Sequence, residues 1–384
     1  GTIVRSDDNL QISVELVDAR DSTQMWGNHY NSKAADLQNV QKEIARAISE
    51  KLRVRLTGAQ AQQLTKRATE NSEAYRLYLT GIFYQRRGGT ENFKTAIGYF
   101  NDAIALDPNF ALAYVSLAMT KSMLVGGGVL KPEETMPNVR AAVEKALELD
   151  ETLADAHASL AVIERQEWDW AGADKEFKRA IELNPNLAWA HGAYGISLAR
   201  MGQYSDALTE NKRAQELDPL NTMFKELEVG ILRFARRYDE ALERMQVLIK
   251  THPEYAGRGE RAYIYAGKGM YAEAIADYQE NMRVDVENTS DEIYLGYAYA
   301  MSGQRDRALA TLNKLKVTKE YVSPAELAIL YIGLGDKDSA FESLERAYLA
   351  HDLQMQFLKV DSHYDAIRSD QRFIDLMRRV GLPQ

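Results

Sequence analysis

The chain has 384 residues, 45% of them apolar, with 47 Lys plus Arg against 56 Asp plus Glu and a net charge of -9. That length exceeds one ordinary compact domain and the apolar content supplies ample core, so disorder is excluded, while the acidic balance argues against wholesale nucleic-acid binding. The lack of cysteine excludes a disulfide framework, a Cys-ligated zinc site and thiol chemistry, and no apolar run approaches the roughly 18 residues that a membrane span needs.

At the start of the chain, Leu10, Ile12, Val14 and Leu16 alternate with Gln11, Ser13 and Glu15, the period-2 pattern of a half-buried strand. Ile3 to Arg5 reads as a partner strand across Ser6-Asp7-Asp8-Asn9, and Gln24 to Tyr30 as a third across Arg20-Asp21-Ser22-Thr23, which predicts an antiparallel meander. Asp36 is placed to cap a helix whose Leu37, Val40, Ile44, Ile48 and Leu52 form one apolar stripe. Residues 1–56 make up this α+β segment, and a polar linker over residues 57–72 follows. The chain opens at Gly1, already inside strand-like sequence, and reads as a piece of something larger. So small a sheet has unpaired edges, and residues 2–30 are expected either to pair in a homodimer or to pack on the repeats that follow.

From residue 73 the chain repeats itself. Ala173, Ala207, Ala241, Ala274, Ala308 and Ala340 recur at intervals of 34, 34, 33, 34 and 32 residues. Within residues 154–187, His157, Leu160, Ala161, Ala173, Phe177 and Ala180, closed by Pro185, fit two short helices whose small residues permit close approach. The next unit carries His191, Tyr194, Gly195, Leu198, Ala207, Ala214 and Pro219, and Pro253 continues the series. Earlier, Gly81, Tyr84, Ala96, Phe100, Ala103 and Pro108 fit with a longer loop around Gly88 and Gly89. Tyr114, Leu117, Ala118, Val139, Val143 and Ala146 fit if Met123 to Met136 is a long inter-helix insertion. Later copies carry Ala274 with Tyr278, Gly296 with Tyr299 and Ala308, and Tyr331 with Ala340 and Ala347. Turn glycines at 202, 269, 303 and 335 each precede the repeat alanine by five residues. The fifth copy is the weakest, with Val229, Met245 and Leu248 at the repeated positions. About eight repeats over residues 73–350 result, with residues 351–384 as capping helices.

The repeated pattern resembles the tetratricopeptide (TPR) repeat, which implies a mainly α, TPR-type solenoid behind the small N-terminal α+β fragment. The residues LVDARDSTQMWGNHY, followed by the first helix, resemble the closing part of the TolB-like domain that precedes TPR arrays in bacterial signalling proteins. Glu167-Trp168-Asp169-Trp170-Ala171-Gly172-Ala173 and Ser369-Asp370-Gln371-Arg372-Phe373 look like the same family. The earlier strands and helices of the TolB-like domain are absent, and the resemblance implies an upstream kinase, winged-helix or adenylate cyclase domain. The cytoplasm is the expected compartment, with the periplasm the alternative if a membrane span precedes Gly1.

No catalytic constellation is visible. The histidines, His29, His157, His191, His252, His351 and His363, never take zinc-ligand spacing, and no Gly-Lys-Ser/Thr follows Gly126-Gly127-Gly128. A non-enzymatic module with no cofactor and no metal is therefore expected. The resemblance implies an extended peptide lying on the concave face lined by the first helix of each pair. Mapped by position, that face holds Tyr78, Ile82, Met119, Trp189, Ile196, Tyr263 and Tyr297, edged by Arg86, Arg165, Arg200 and Arg233. The arginines suit either ligand carboxylates or carboxylates of the array itself, such as Glu164 or Glu226. Two alternatives to peptide binding stand: a self-assembling scaffold, and a small-ligand sensor near Trp168, Trp170 and the 123–136 stretch.

Overall fold

The computed structural model describes residues 1–6, 9–17, 23–33, 36–51, 68–126, 129–252, 257–284, 289–318 and 321–383. The turns through Asp7-Asp8 and Arg20-Asp21-Ser22, Leu52, most of the expected linker, Gly127-Gly128 and Pro253 lie outside them. The chain divides into two compact units, Gly1–Glu151 and Thr152–Gln384.

The first unit opens with the expected meander, β1 (Thr2–Ser6), β2 (Asn9–Val17) and β3 (Gln24–Lys33), antiparallel in the order β1-β2-β3. Helix α1 (Leu37–Lys51) lays Val40 against Leu10 and Ile12, with Leu37 and Ile44 alongside. This stripe covers one sheet face, as the alternation in β2 requires. Tyr75 Oη donates to Gln41 Oε1 at 2.7 Å, tying α1 to the first repeat helix. Two helix pairs follow: α2 (Ser72–Arg87) with α3 (Thr90–Leu106), and α4 (Ala111–Gly126) with α5 (Pro132–Leu149). Phe100 is fully buried, and a Cβ on Gly81 would stand 2.5 Å from its ring, so only glycine admits this crossing. The expected insertion at 123–136 is instead mostly helix. Leu124 and Val125 are buried in α4, that helix ends at Gly126, and Pro132 stands in the first turn of α5, where its missing N–H costs nothing.

Among the described residues the second unit carries six pairs. They are α6 (Ala154–Gln166) with α7 (Trp170–Leu183), α8 (Ala188–Arg200) with α9 (Tyr204–Leu217), and α10 (Thr222–Phe234) with α11 (Tyr238–Thr251). Then come α12 (Arg258–Gly267) with α13 (Tyr271–Val284), α14 (Thr289–Met301) with α15 (Arg305–Val317), and α16 (Pro324–Gly333) with α17 (Lys337–Leu349). All six repeat alanines are fully buried. The irregular fifth copy obeys the same rule, with Val229, Met245 and Leu248 all buried. The histidine positions also repeat: His157 Nδ1 meets Glu176 Oε2, and His191 Nδ1 meets Glu210 Oε2, each at 2.6 Å.

The turn between paired helices recurs with a left-handed residue. Gly202, Gly269, Gly303 and Gly335 take φ of 81°, 76°, 82° and 78°, where a Cβ would be strained. Trp168 and Arg236 stand 34 residues before and after Gly202 and adopt φ of 66° and 59° in the same role. These two side chains reach the segment beyond α17. Trp168 stacks on His351 at 4.3 Å, and the Arg236 guanidinium grips Asp365 in a fork at 2.5 and 2.7 Å. Backbone strain at a turn is retained here together with a long-range contact.

That C-terminal segment does more than cap the last pair. Two 3-10 turns (Leu353–Phe357 and Ser362–Ile367) lead into α18 (Gln371–Arg379). Met355, Leu358, Val360, Tyr364 and Ile367 are buried. α18 lies along α17 through Arg372 to Asp338 and Arg379 to Glu345, and Trp170 Nε1 of α7 donates to Val380 O at 2.8 Å. The last helix thus bridges the final and initial pairs of this unit rather than presenting a free polar end.

Candidate functional site

The expected concave positions divide between the two units. In the first, Tyr78 packs its ring 5.0 Å from Phe110 and 6.0 Å from Phe100, and Ile82 packs beside Phe100, so both serve mainly as filling between helices. Met119 is half-buried on α4 and Arg86 is exposed at the end of α2. Phe83, which the positional reading passed over, is 54% exposed, and Arg87 lies 5.5 Å above its ring. Met123, one turn beyond Met119, is also exposed.

In the second unit, Trp189 and Ile196 are half-buried, and Trp189 Nε1 reaches Asp155 Oδ1 at 3.4 Å. Four of the remaining five positions meet the chain's own C-terminal segment or each other. Arg200 Nη1 donates to Gln356 Oε1 at 2.5 Å, and its guanidinium lies 4.4 Å above the Phe357 ring. Arg233 Nε donates to Glu260 Oε1 at 2.6 Å and lies over the Phe234 and Tyr263 rings at 4.4 and 4.1 Å. Its internal partner is Glu260, not Glu164 or Glu226. Tyr263 and Tyr297 face His363 with ring centroids 4.5 and 4.6 Å apart. His363 Nδ1 is held by Asp361 Oδ1 at 2.7 Å, both fully enclosed. Sequence spacing located these side chains on one helix face, but nothing in it showed that residues 353–367 cover them.

A small cavity of about 80 Å³ remains under this cover, lined by Arg233, Tyr263, Tyr294, Glu326, Phe357 and Asp361 among others. Burial pushes the Glu326 carboxyl up to about 7, with Ser290 Oγ donating to it at 2.8 Å and Asp352 and Asp361 adding like charge. Burial likewise pushes the Tyr263 and Tyr294 phenols well above their ordinary value. The cavity's cation is already engaged by Glu260 and two aromatic rings, so its chemistry is satisfied internally.

Arg165 is different. It is 6% exposed, its Nε and Nη1 meet no acceptor, and no carboxylate among the described residues pairs with it. Burial draws its guanidinium down to about 10, which leaves it charged at neutral pH. A desolvated charge without a counterion costs the fold several kcal/mol. Among the described residues no group of three His, Cys, Asp or Glu is placed to hold a metal, and no helix is long and apolar enough to cross a membrane.

A family model described as "Tetratricopeptide repeat" matches residues 176–209. A curated relative, "Putative adenylate cyclase 3" of Rhizobium meliloti (strain 1021), is 24% identical over 165 residues, 42% of this chain and 28% of that protein. The chain therefore spans under a third of that relative. Among solved structures, the yeast Tom70 is 17% identical, with 81% of this chain and 68% of that one covered and a TM-score of 0.47. A thermophilic TPR protein of Thermus thermophilus is 17% identical, with 47% of this chain and 92% of its own covered and a TM-score of 0.40. Helix pairs with a buried small residue recurring about every 34 positions, together with the matching family model, make this chain a TPR-type helical repeat protein behind a small antiparallel sheet.

Proposed function

We propose that this chain is the interaction portion of a bacterial signalling or regulatory protein, binding a protein or peptide and carrying out no catalysis of its own. The fold supports an interaction module, because stacked helix pairs create long faces rather than one closed cleft. The signalling role rests on the TolB-like resemblance and on the distant relative named as a cyclase, of which this chain matches a minor part. The single observation that carries the binding reading is the apolar and cationic strip on α2 and α4, where Phe83, Arg86 and Met123 are exposed and Met119 is half-buried.

The corresponding strip in the second unit is covered by residues 353–367, so the partner is assigned to the first unit. Its chemistry follows from the strip: an extended acidic segment with spaced apolar anchors, since guanidinium groups favour carboxylates and exposed aromatic rings supply contact area. Peptides selected against the full chain from a displayed library test this by calorimetric titration. Phe83→Ala with Arg86→Glu is expected to weaken them at least about 10-fold, both side chains being solvent-exposed and dispensable for folding. Unchanged affinity would remove the first-unit face. A homodimer through the sheet is a second reading, favoured by Ile3 and Val4, 67% and 57% exposed on the edge strand β1.

A further inference from the structure

The pair α8 and α9 departs from the other repeats at one core position. Four residues beyond Ala96, Ala173, Ala241, Ala274, Ala308 and Ala340 stand Phe100, Phe177, Met245, Tyr278, Leu312 and Leu344, all large and all buried. Four beyond Ala207 stands Asn211, 1% exposed. Its Nδ2 donates to Phe224 O at 2.9 Å, but Oδ1 meets no donor. A half-paired amide in the interior costs stability, and a local departure of this kind is expected where a site is built. Asn211 also forms part of the wall of a cavity of about 250 Å³ between α9, α10 and α11, with Leu208 and Leu232 as its apolar surface. Gln215 Nε2 bridges Phe224 O at 3.4 Å and Glu228 Oε2 at 3.0 Å, which sets the Glu228 carboxylate next to the Asn211 amide. The wall carries three cations and two carboxylates in all. Arg237 forks onto Glu240 at 2.7 and 2.5 Å, and Arg244 Nε meets Glu228 Oε1 at 3.0 Å. Lys212, the third cation, has no carboxylate partner among the described residues.

We propose that this cavity binds a free α-amino acid with an apolar side chain. The ammonium group donates to Asn211 Oδ1 and Glu228, the carboxylate pairs with Lys212, and the side chain lies on Leu208 and Leu232. The class follows from the wall. An unpaired acceptor calls for a donor, an unpaired cation calls for an anion, and a zwitterion brings both on one small molecule. A plain carboxylate leaves Asn211 Oδ1 unanswered and brings its charge towards Glu228, whereas a plain amine leaves Lys212 unpaired. The cavity shares no residue with the α2 and α4 strip assigned to a protein partner, so ligand binding here is independent of that assignment.

The test melts the full chain at constant ionic strength with L-alanine, L-valine, L-leucine or L-phenylalanine, and titrates the strongest of them calorimetrically. At least one is expected to raise Tm by about 5 °C at roughly 100-fold excess over its Kd. The matched probes are the same molecule without its amino group and without its carboxylate; for L-leucine these are 4-methylpentanoate and 3-methylbutylamine. Each should bind at least about 10-fold more weakly, because each leaves one wall group unpaired. Asn211→Leu, which restores an apolar side chain of the kind the other pairs carry, should abolish binding while folding at least as well. Lys212→Ala, at an exposed position, should keep the fold and weaken binding about 10-fold. No response to any of the four amino acids, the result of a cavity that holds water alone, would overturn the proposal. So would a matched probe binding as tightly as its parent, or unchanged affinity in either variant.

Discussion

Leu358→Ala probes whether residues 351–384 are part of the core of the second unit or an appendage to it. Leu358 is fully buried, in the cluster that joins Trp170 of α7, Ile329 of α16, Leu344 of α17 and Leu376 of α18. Removing its outer carbons loses the transfer term, about 0.8 kcal/mol per methylene, and leaves a cavity that this many surrounding elements cannot collapse into. A loss of about 3 kcal/mol is expected, in the range measured for enclosed Leu→Ala changes. Leu349→Ala is the matched control, 77% exposed at the end of α17, and should change stability by under about 0.5 kcal/mol. In a Trp26→Phe background the remaining tryptophans, Trp168, Trp170 and Trp189, all report on the second unit. Urea titration followed by their emission and by circular dichroism should show the emission midpoint displaced strongly for Leu358→Ala and hardly at all for Leu349→Ala. Equal, small displacements for the two variants would refute the reasoning, since the C-terminal segment would then contribute no more than a tail.

Glu326 holds a proton up to about pH 7 in the folded chain, against 4.5 in its ordinary state, because burial outweighs the bond from Ser290. Between those values the unfolded chain has already released that proton, so this group makes stability fall as pH rises from about 4.5 to 7, by about 3 kcal/mol in all. Glu326→Gln should flatten the fall in pH-dependent urea midpoints, and an unchanged slope contradicts the assignment. Gly195→Ala should destabilise by about 2 kcal/mol in the same assay, because the added Cβ would meet Ala207 O at 2.9 Å and Asn211 N at 3.3 Å, both backbone atoms of α9. A neutral result would mean α8 and α9 do not cross as closely as described.

Much of this architecture is readable from residue spacing, for a physical reason. Each pair buries the same small residue against the same neighbour, so the interval between Ala173, Ala207 and Ala241 reports a three-dimensional stacking distance directly. The β2 alternation and the α1 stripe are legible for the same cause, since periodicity follows which face is covered. The stretch 123–136 misled because its apolar residues fit no repeat position, although Met123, Leu124, Val125 and Met136 simply lengthen α4 and α5. The candidate site was half legible. Helical spacing gathers Arg200, Arg233, Tyr263 and Tyr297 on first helices, but their covering by residues 353–367 joins segments far apart in the chain, and local pattern carries no record of it. Its one faint trace is Trp168 and Arg236 at turns where other copies carry glycine: a large side chain accepting a left-handed backbone signals that it has a distant partner.

Hydrogen exchange of the native chain bears most directly on the claim that the second unit fills its own inner face. If residues 353–382 are core, their amides exchange as slowly as those of α8, α10 and α16, and slow together with them in every condition. Exchange of that segment within seconds, while the repeat helices stay protected, would show an open groove and contradict the claim.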